Sequence, residues 1–380
     1  MHTLIKNAHI VSPDLEILDG AISIHDGTIT CVYQNGDVLP VADHVYDAVG
    51  MYAFPGFIDI HAHGANGYDV CDNSLVSIRE IAKAKLAEGV TTWLPTTLTQ
   101  AQSYLKSIAE KCSHYTKNQS FTKTPGIHLE GPFINASKAG AQNPEFVRQP
   151  DIEELAELHA ITPALMISLA PCQDGASDII RKAKQLGITS SAAHSEASYQ
   201  QIRDAKHAGL THLTHFGNAM TGLHHREIGM VGAGLIDDEL KLELICDGIH
   251  LAPEFLKLVF KLKPIEHILL ITDSMAGSMI ENGECSLGGL EVIVNDNVAR
   301  LKDSGALAGS TLVFNNGLKL AAEISELPLH QLVKASSWNQ AKSLGLDGLG
   351  KIEVGFTGDI AILDSDFAVR ATFVDGEQRF

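Results

Sequence analysis

Residues 54–64 read FPGFIDIHAHG, an apolar run that ends on two histidines. His61 and His63 lie two apart, so in a strand both side chains leave the same face. Four more apolar runs end on a polar residue of the same kind: PGIHLE (125–130) on Glu130, TSSAAH (189–194) on His194, THLTH (211–215) on His215 and HILLITD (267–273) on Asp273. Neutral imidazoles together with a carboxylate suit a borderline-soft divalent metal. With 18 histidines in 380 residues, some fall on strands by chance, and one His-x-His pair alone carries little weight. Six such residues at strand ends share one explanation. In a closed parallel barrel every strand opens on the same face.

The middle of the chain supports that reading. Strand-like runs alternate with helical ones: SLVSIREIAKAKLAEG before VTTWLPTT, AQSYLKSIAEKCSHY before PGIHLE, IEELAELHAI before ALMISLAP. The pattern continues through GASDIIRKAKQLG, SYQQIRDAKHAG, IGMVGAGLID and APEFLKLVFKL to HILLITD. Eight strand candidates separated by helices give a (β/α)₈ TIM-like barrel of the α/β class over 54–344. A doubly wound open sheet is the competing fold, but it does not bring the ends of strands 1, 3, 5, 6 and 8 to one point. The two ends of the chain read differently. Short alternating strands with Asp19-Gly20, Asp26-Gly27 and Asp375-Gly376 turns suggest a small antiparallel β-sandwich made from 1–53 and 345–380. Residues 283–303 read as a β-hairpin inserted after strand 8 and lying over the site, with helix 311–325 closing the barrel.

Composition narrows the class. The net charge of −18 argues against nucleic acid or an anionic membrane as partner. It also requires a local positive site for any phosphorylated substrate. The six cysteines form no CxxC pair and read as reduced thiols of a cytoplasmic protein. The N-terminus lacks the pattern of a secretory signal, and no apolar run is long enough to span a bilayer.

Glu130, His194 and His215 would form one metal site with an open position, and His61 with His63 a second, Glu130 bridging. A metal lowers the pKa of its bound water to roughly 7, and Asp273 is placed to orient that water and move its proton. The competing reading of Asp273 taken alone, a helix N-cap after a strand, is the weaker one, and its place in the set weakens it further. The sum is metal-assisted hydrolysis. Strand 4, ALMISLAP, has no lysine to carry a bridging carbamate, which points away from dihydroorotase-like and urease-like enzymes. No GxSxG elbow is present, and GMVGAG lacks the strand a dinucleotide site requires. Asp59 reads as a group behind the site or a buried turn partner. His114, His159 and His207 fall in helical segments and read as solvated or capping, while His224 and His225 are either loop residues or functional.

In order along the chain, PGFIDIHAHG, HLEGPF, AAHSEAS, THFGNAM, HHREIGMVG, CDGIH, ITDSM and LAGSTL resemble the N-acetylglucosamine-6-phosphate deacetylases of the amidohydrolase superfamily. The resemblance covers the whole chain and implies hydrolysis of the N-acetyl group of a 6-phosphorylated amino sugar in amino-sugar catabolism. It implies Glu130, His194 and His215 as metal ligands and Asp273 as acid/base. Family members with the first-strand histidine pair can bind two metals, so one or two divalent ions are expected, zinc first and iron the alternative. The resemblance further implies that Asn218, Ala219 and Arg226 hold the phosphate, that His250 and the loop Leu307, Ala308, Gly309 touch the substrate, and that Ala141 and Gln142 lie near the acetamido group. Gln142 stands where some members have histidine, which leaves open whether Gln142 or His250 polarises the carbonyl. A homodimer or dimer-based oligomer is implied, with Arg226 serving the neighbouring subunit. Two alternatives stay open: the galacto isomer as substrate, and a barrel retained for binding without catalysis.

Overall fold

The computed structural model describes residues 1–380. The chain opens with β1 (His2–Ser12), β2 (Leu15–His25), β3 (Thr28–Tyr33), β4 (His44–Asp47) and β5 (Tyr52–Pro55). A second sheet starts at β6 (Phe57–Ala62), followed by a small hairpin of β7 (Gly64–Ala65) and β8 (Tyr68–Asp69). Helices and strands then alternate: α1 (Leu75–Leu86), β9 (Val90–Thr97), α2 (Gln102–Lys117), β10 (Ile127–Glu130), α3 (Ile152–Ile161), β11 (Ala164–Leu169), α4 (Ala176–Gln185), β12 (Thr189–Ala192), α5 (Tyr199–Ala208), β13 (His212–Leu213), α6 (Gly229–Ile236), β14 (Lys241–Ile245), α7 (Pro253–Leu262) and β15 (Ile268–Ile271). Strands β6 and β9 to β15 pair in parallel in chain order. Ala62 bridges Ser274, and the Asp273 amide donates to the His61 carbonyl at 2.8 Å, so the first and eighth strands meet. The result is an eight-stranded parallel barrel ringed by helices.

Local chemistry explains the elements. Strand β9 is buried along its whole length, as a strand covered on both faces must be. Ser74 caps α1, Asp151 caps α3, and Ser198 with Gln201 closes a capping box at α5. Alternation along the strands sorts the core. On β15, Ile268 and Leu270 join the large outer cluster under the helices. Leu269 and Ile271 pack with Ile58, Ile60, Leu94, Met166 and Ile245 as an inner plug. Asp273 continues that inner face and reaches the mouth of the barrel.

After β15 the chain makes three antiparallel strands, β16 (Gly283–Leu287), β17 (Leu290–Asn295) and β18 (Val298–Leu301), where a two-stranded hairpin was expected. The extra strand follows from a second tight turn at Asp296–Asn297, both with φ near +50 to +60°. Helices α8 (Phe314–Ser325), α9 (Leu329–Leu332) and α10 (Trp338–Leu344) complete the ring. The C-terminal strands β19 (Ile360–Leu363), β20 (Val369–Val374) and β21 (Glu377–Gln378) return to the N-terminal ones in a single sheet of order β21-β20-β19-β5-β1-β2-β3, with β4 beside β1. That sheet curls until Thr28 bridges Thr357 and encloses its own core of Ile5, Ile10, Ile22, Ile24, Ile360 and Phe373.

Two details of the terminal sheet differ from expectation. It is mixed, because β4 and β5 run parallel to β1. Asp19-Gly20 is no turn but lies inside β2, opposite an irregularity in β1. A Cβ at Gly20 would come within 2.6 Å of Ile10 Cδ1 and 2.9 Å of the Tyr33 carbonyl, so the glycine serves close packing. No helix is long and apolar enough to cross a membrane.

Candidate active site

The strand ends converge on a cavity of about 340 Å³ at the mouth of the barrel. Two sets of three donor atoms lie there, each within 4.8 Å of one another: Glu130, His194 and His215, and His61, His63 and Asp273. All six residues are buried. Glu130 stands between the sets. Its Oε1 lies 3.2 Å from both His194 Nε2 and His215 Nε2, and its Oε2 lies 3.3 Å from His63 Nε2. Asp273 Oδ1 is 3.2 Å from His63 Nε2 and 3.4 Å from His61 Nε2.

The backbone aims these groups by sharp turns at the strand ends. His194, His215 and Asp273 all have positive φ, at 43°, 32° and 50°. Non-glycine residues rarely adopt that region, and such outliers cluster at sites the surrounding structure over-determines.

The imidazoles show what the cavity is built to hold. His63 Nδ1 donates to the Thr96 carbonyl at 3.1 Å and His194 Nδ1 to the Lys138 carbonyl at 2.8 Å. His61 Nδ1 faces Glu243 Oε2 at 3.2 Å. With Nδ1 protonated, each Nε2 presents a lone pair inward. Yet the Nε2 atoms face each other at only 3.3 Å (His61, His63) and 3.1 Å (His194, His215). A cation between atoms that close, beside two carboxylates, would satisfy them. Protons are the alternative. Burial opposes charge on His61 and His63, but Asp273 and Glu130 overcome it, raising His61 well above its ordinary value and His63 to about 9. Burial likewise opposes ionisation of Glu130 and Asp273, and the surrounding imidazoles hold both well below the usual carboxylate range. A divalent ion satisfies the same field with neutral imidazoles, and the donor set fits one.

Most of the other expected residues line this cavity: Ala141, Gln142, Asn218, Ala219, His250, Leu307 and Gly309. Ala308 is fully buried and does not line it. Arg226 is exposed, its guanidinium donates to His225 Nε2 at 2.9 Å, and it does not line its own chain's cavity. Gln142 has a role the sequence did not reveal. Its Nε2 donates to Glu130 Oε2 at 2.6 Å and its Oε1 accepts from the Thr99 amide at 2.6 Å, which fixes the carboxylate and leaves one N–H free. His250 Nδ1 is held by Asp247 Oδ2 at 2.6 Å, leaving Nε2 as its free nitrogen. Burial opposes charge on this histidine, and Asp247 raises its pKa in spite of it.

Sequence reasoning passed over Glu243, Asp247 and Lys138, the one lysine or arginine in the cavity lining. Glu243 and Asp247 both sit within the run KLELICDG, where an acidic residue amid apolar ones was the available signal. His128, on the strand that carries Glu130, is a structural group. It bonds the Ile60 carbonyl and Ser168 Oγ at 3.0 and 2.7 Å, and burial first, then His61, push its pKa far down.

The amidohydrolase family model matches residues 52–379. A Bacillus subtilis N-acetylglucosamine-6-phosphate deacetylase is 34% identical, covering 99% of this chain and 97% of that protein. An Escherichia coli O157:H7 N-acetylgalactosamine-6-phosphate deacetylase is 37% identical over 94% of each. Among solved structures, a mutant N-acetyl-D-glucosamine-6-phosphate deacetylase from Mycobacterium smegmatis, in complex with N-acetyl-D-glucosamine-6-phosphate, superposes with a TM-score of 0.93 at 29% identity over 100% of this chain and 99% of that one. The chain belongs to the amidohydrolase family.

Proposed function

We propose that this enzyme hydrolyses the N-acetyl group of N-acetyl-D-glucosamine 6-phosphate, releasing acetate and D-glucosamine 6-phosphate in amino-sugar catabolism. The observation that carries it is the convergence of six ligand-type residues at the mouth of the barrel, in a chain related over nearly its full length to deacetylases of this class.

Glu130, His194 and His215 would hold one ion, and His61 and His63, with the other Glu130 oxygen, a second; zinc is the first candidate and iron the alternative. A divalent ion bound there would polarise the acetamide carbonyl and acidify a water. Asp273 accepts the proton of the attacking water and returns it to the departing amine. His250 Nε2, oriented by Asp247, donates to the developing oxyanion. Gln142 is the weaker candidate for that task, since one of its two N–H bonds already serves Glu130. Asn218, the Ala219 backbone and the Leu307–Gly309 loop position the sugar phosphate, with Ala141 beside the acetyl group. Arg226 reaches the phosphate of the neighbouring subunit's site in a cytoplasmic homodimer.

The galacto isomer is a second reading, favoured by the 37% identity to an N-acetylgalactosamine-6-phosphate deacetylase. Acetate release from both sugars, on protein of determined metal content, separates them through the ratio of kcat/KM. Release from neither, with metal present, overturns the substrate assignment.

A further inference from the structure

Behind the barrel wall, on the side away from the cavity, lies a buried ion cluster that the chemistry above does not use. Lys85 of α1 is fully buried, as are Asp59, Glu88, Thr272 and Ser274 around it. Its three N–H bonds are shared among four acceptors: Asp59 Oδ2 at 3.1 Å, Glu88 Oε2 at 3.2 Å, Thr272 Oγ1 at 3.2 Å and Ser274 Oγ at 2.9 Å. A lysine is almost never sealed away like this unless paired, and the desolvation it incurs has to be offset by good geometry.

Thr272 and Ser274 are the two neighbours of Asp273. Their hydroxyls accept from Lys85 and pass their own protons on, Thr272 to Asp59 Oδ2 at 2.6 Å and Ser274 to the Gly64 carbonyl at 2.9 Å. Asp59 also accepts from the Thr272 amide at 3.3 Å. Glu88 Oε2 takes the Phe314 amide at 2.9 Å, which ties the start of α8 to the same point. Asp273 itself sits at φ +50°, in the left-handed region, where the chain turns sharply at the strand end. The chain is therefore clamped on both sides of this turn by one ammonium.

We propose that Lys85 is a positioning residue for Asp273: by tying Thr272, Ser274 and Asp59 to one ammonium, it keeps the Asp273 carboxylate aimed at His61 and His63. This rests on the deacetylase reading for its kinetic consequence but not for its geometry. Lys85 touches no reacting group. It acts through the backbone turn that carries Asp273.

Three variants test it: Lys85→Met, which removes the ammonium at similar length; Ser274→Ala, which removes one arm of the clamp and spares the buried carboxylates their partner; and Lys85→Met combined with Asp273→Asn. In Lys85→Met and in Ser274→Ala, kcat falls, by about tenfold to a hundredfold in the first and less in the second, since small displacements of a catalytic group carry such factors. KM for the acetylated sugar phosphate and the metal content stay close to wild type. In the Asp273→Asn background Lys85→Met adds little, because the group it positions is already disabled. Equal losses from Lys85→Met in both backgrounds, or unchanged kcat in a folded Ser274→Ala, overturn the proposal. If Lys85→Met does not fold, Ser274→Ala decides. A crystal structure of either folded variant reads the geometry without activity: the Asp273 carboxylate moves away from His63 and its φ relaxes, and an unmoved Asp273 overturns the proposal. Absence of acetate release from the wild type would instead count against the deacetylase reading and leave the structural test standing.

Discussion

At the scale of single residues, the site is a matter of which atom of each side chain faces inward. Three of the four strand-end imidazoles have Nδ1 facing an oxygen partner, so their Nε2 atoms are the ones left for an ion. Asp273 differs from Glu130 in lacking a fixed amide partner such as Gln142, which suits it to exchanging a proton. Replacing Asp273 by Asn keeps shape and hydrogen-bonding reach but removes the base. The expected outcome is metal retained at Glu130, His194 and His215, with turnover down by about 10²–10⁴-fold. Metal analysis alongside steady-state kinetics checks it, and near-normal turnover would sink the role assigned to Asp273. The six strand-end residues were legible because each ends a recognisable apolar run. Glu243, Asp247 and the Gln142–Glu130 bond were not, since which groups stand behind a ligand depends on strand neighbours far apart in sequence.

Among elements, the strand and helix alternation was legible because each strand is a short apolar run between amphipathic stretches. The excursion after β15 was read one strand short, although two tight turns mark it: Gly288-Gly289, with φ of 56° and 90°, and Asp296-Asn297. The first of these turns docks the excursion on the barrel mouth. The Gly288 amide donates to Asp69 Oδ2 at 3.1 Å, and Gln100 Nε2 donates to the Gly288 carbonyl at 2.7 Å. Leu287, just before the turn, lines the cavity. A side chain at Gly288 would suffer the positive φ and meet Leu98 Cδ1 at 2.6 Å. Gly288→Val is thus expected to lift Leu287 off the cavity wall. KM for the sugar phosphate should rise several-fold, by about 1 kcal/mol of lost binding, while metal content stays unchanged. A wild-type KM in the folded variant would show that the excursion does not shape the substrate pocket.

For the whole molecule, charge poses the remaining problem. A chain of net charge −18 has to receive a phosphate dianion, and the cavity lining offers one lysine or arginine, Lys138. Arg226 stands exposed on its loop and does not line its own chain's cavity. Either Lys138 suffices, or a second subunit supplies the guanidinium, whose fork matches a phosphate better than an ammonium does. Neither residue's reach could be settled from sequence, because a cavity lining and a subunit boundary are properties of the assembled surface. Mixed dimers discriminate. Arg226→Ala should raise KM strongly and Asp273→Asn should lower turnover by orders of magnitude, each variant tested alone. In a mixed dimer, the site with intact Asp273 receives Arg226 from the other protomer. Co-refolded variants should then recover activity with near wild-type KM, at up to about half the sites of the mixed dimers. If Arg226 acts only within its own chain, mixing restores nothing; if Lys138 carries the phosphate alone, Arg226→Ala is nearly silent from the start. Activity that appears only on mixing would place half of the phosphate site on each subunit.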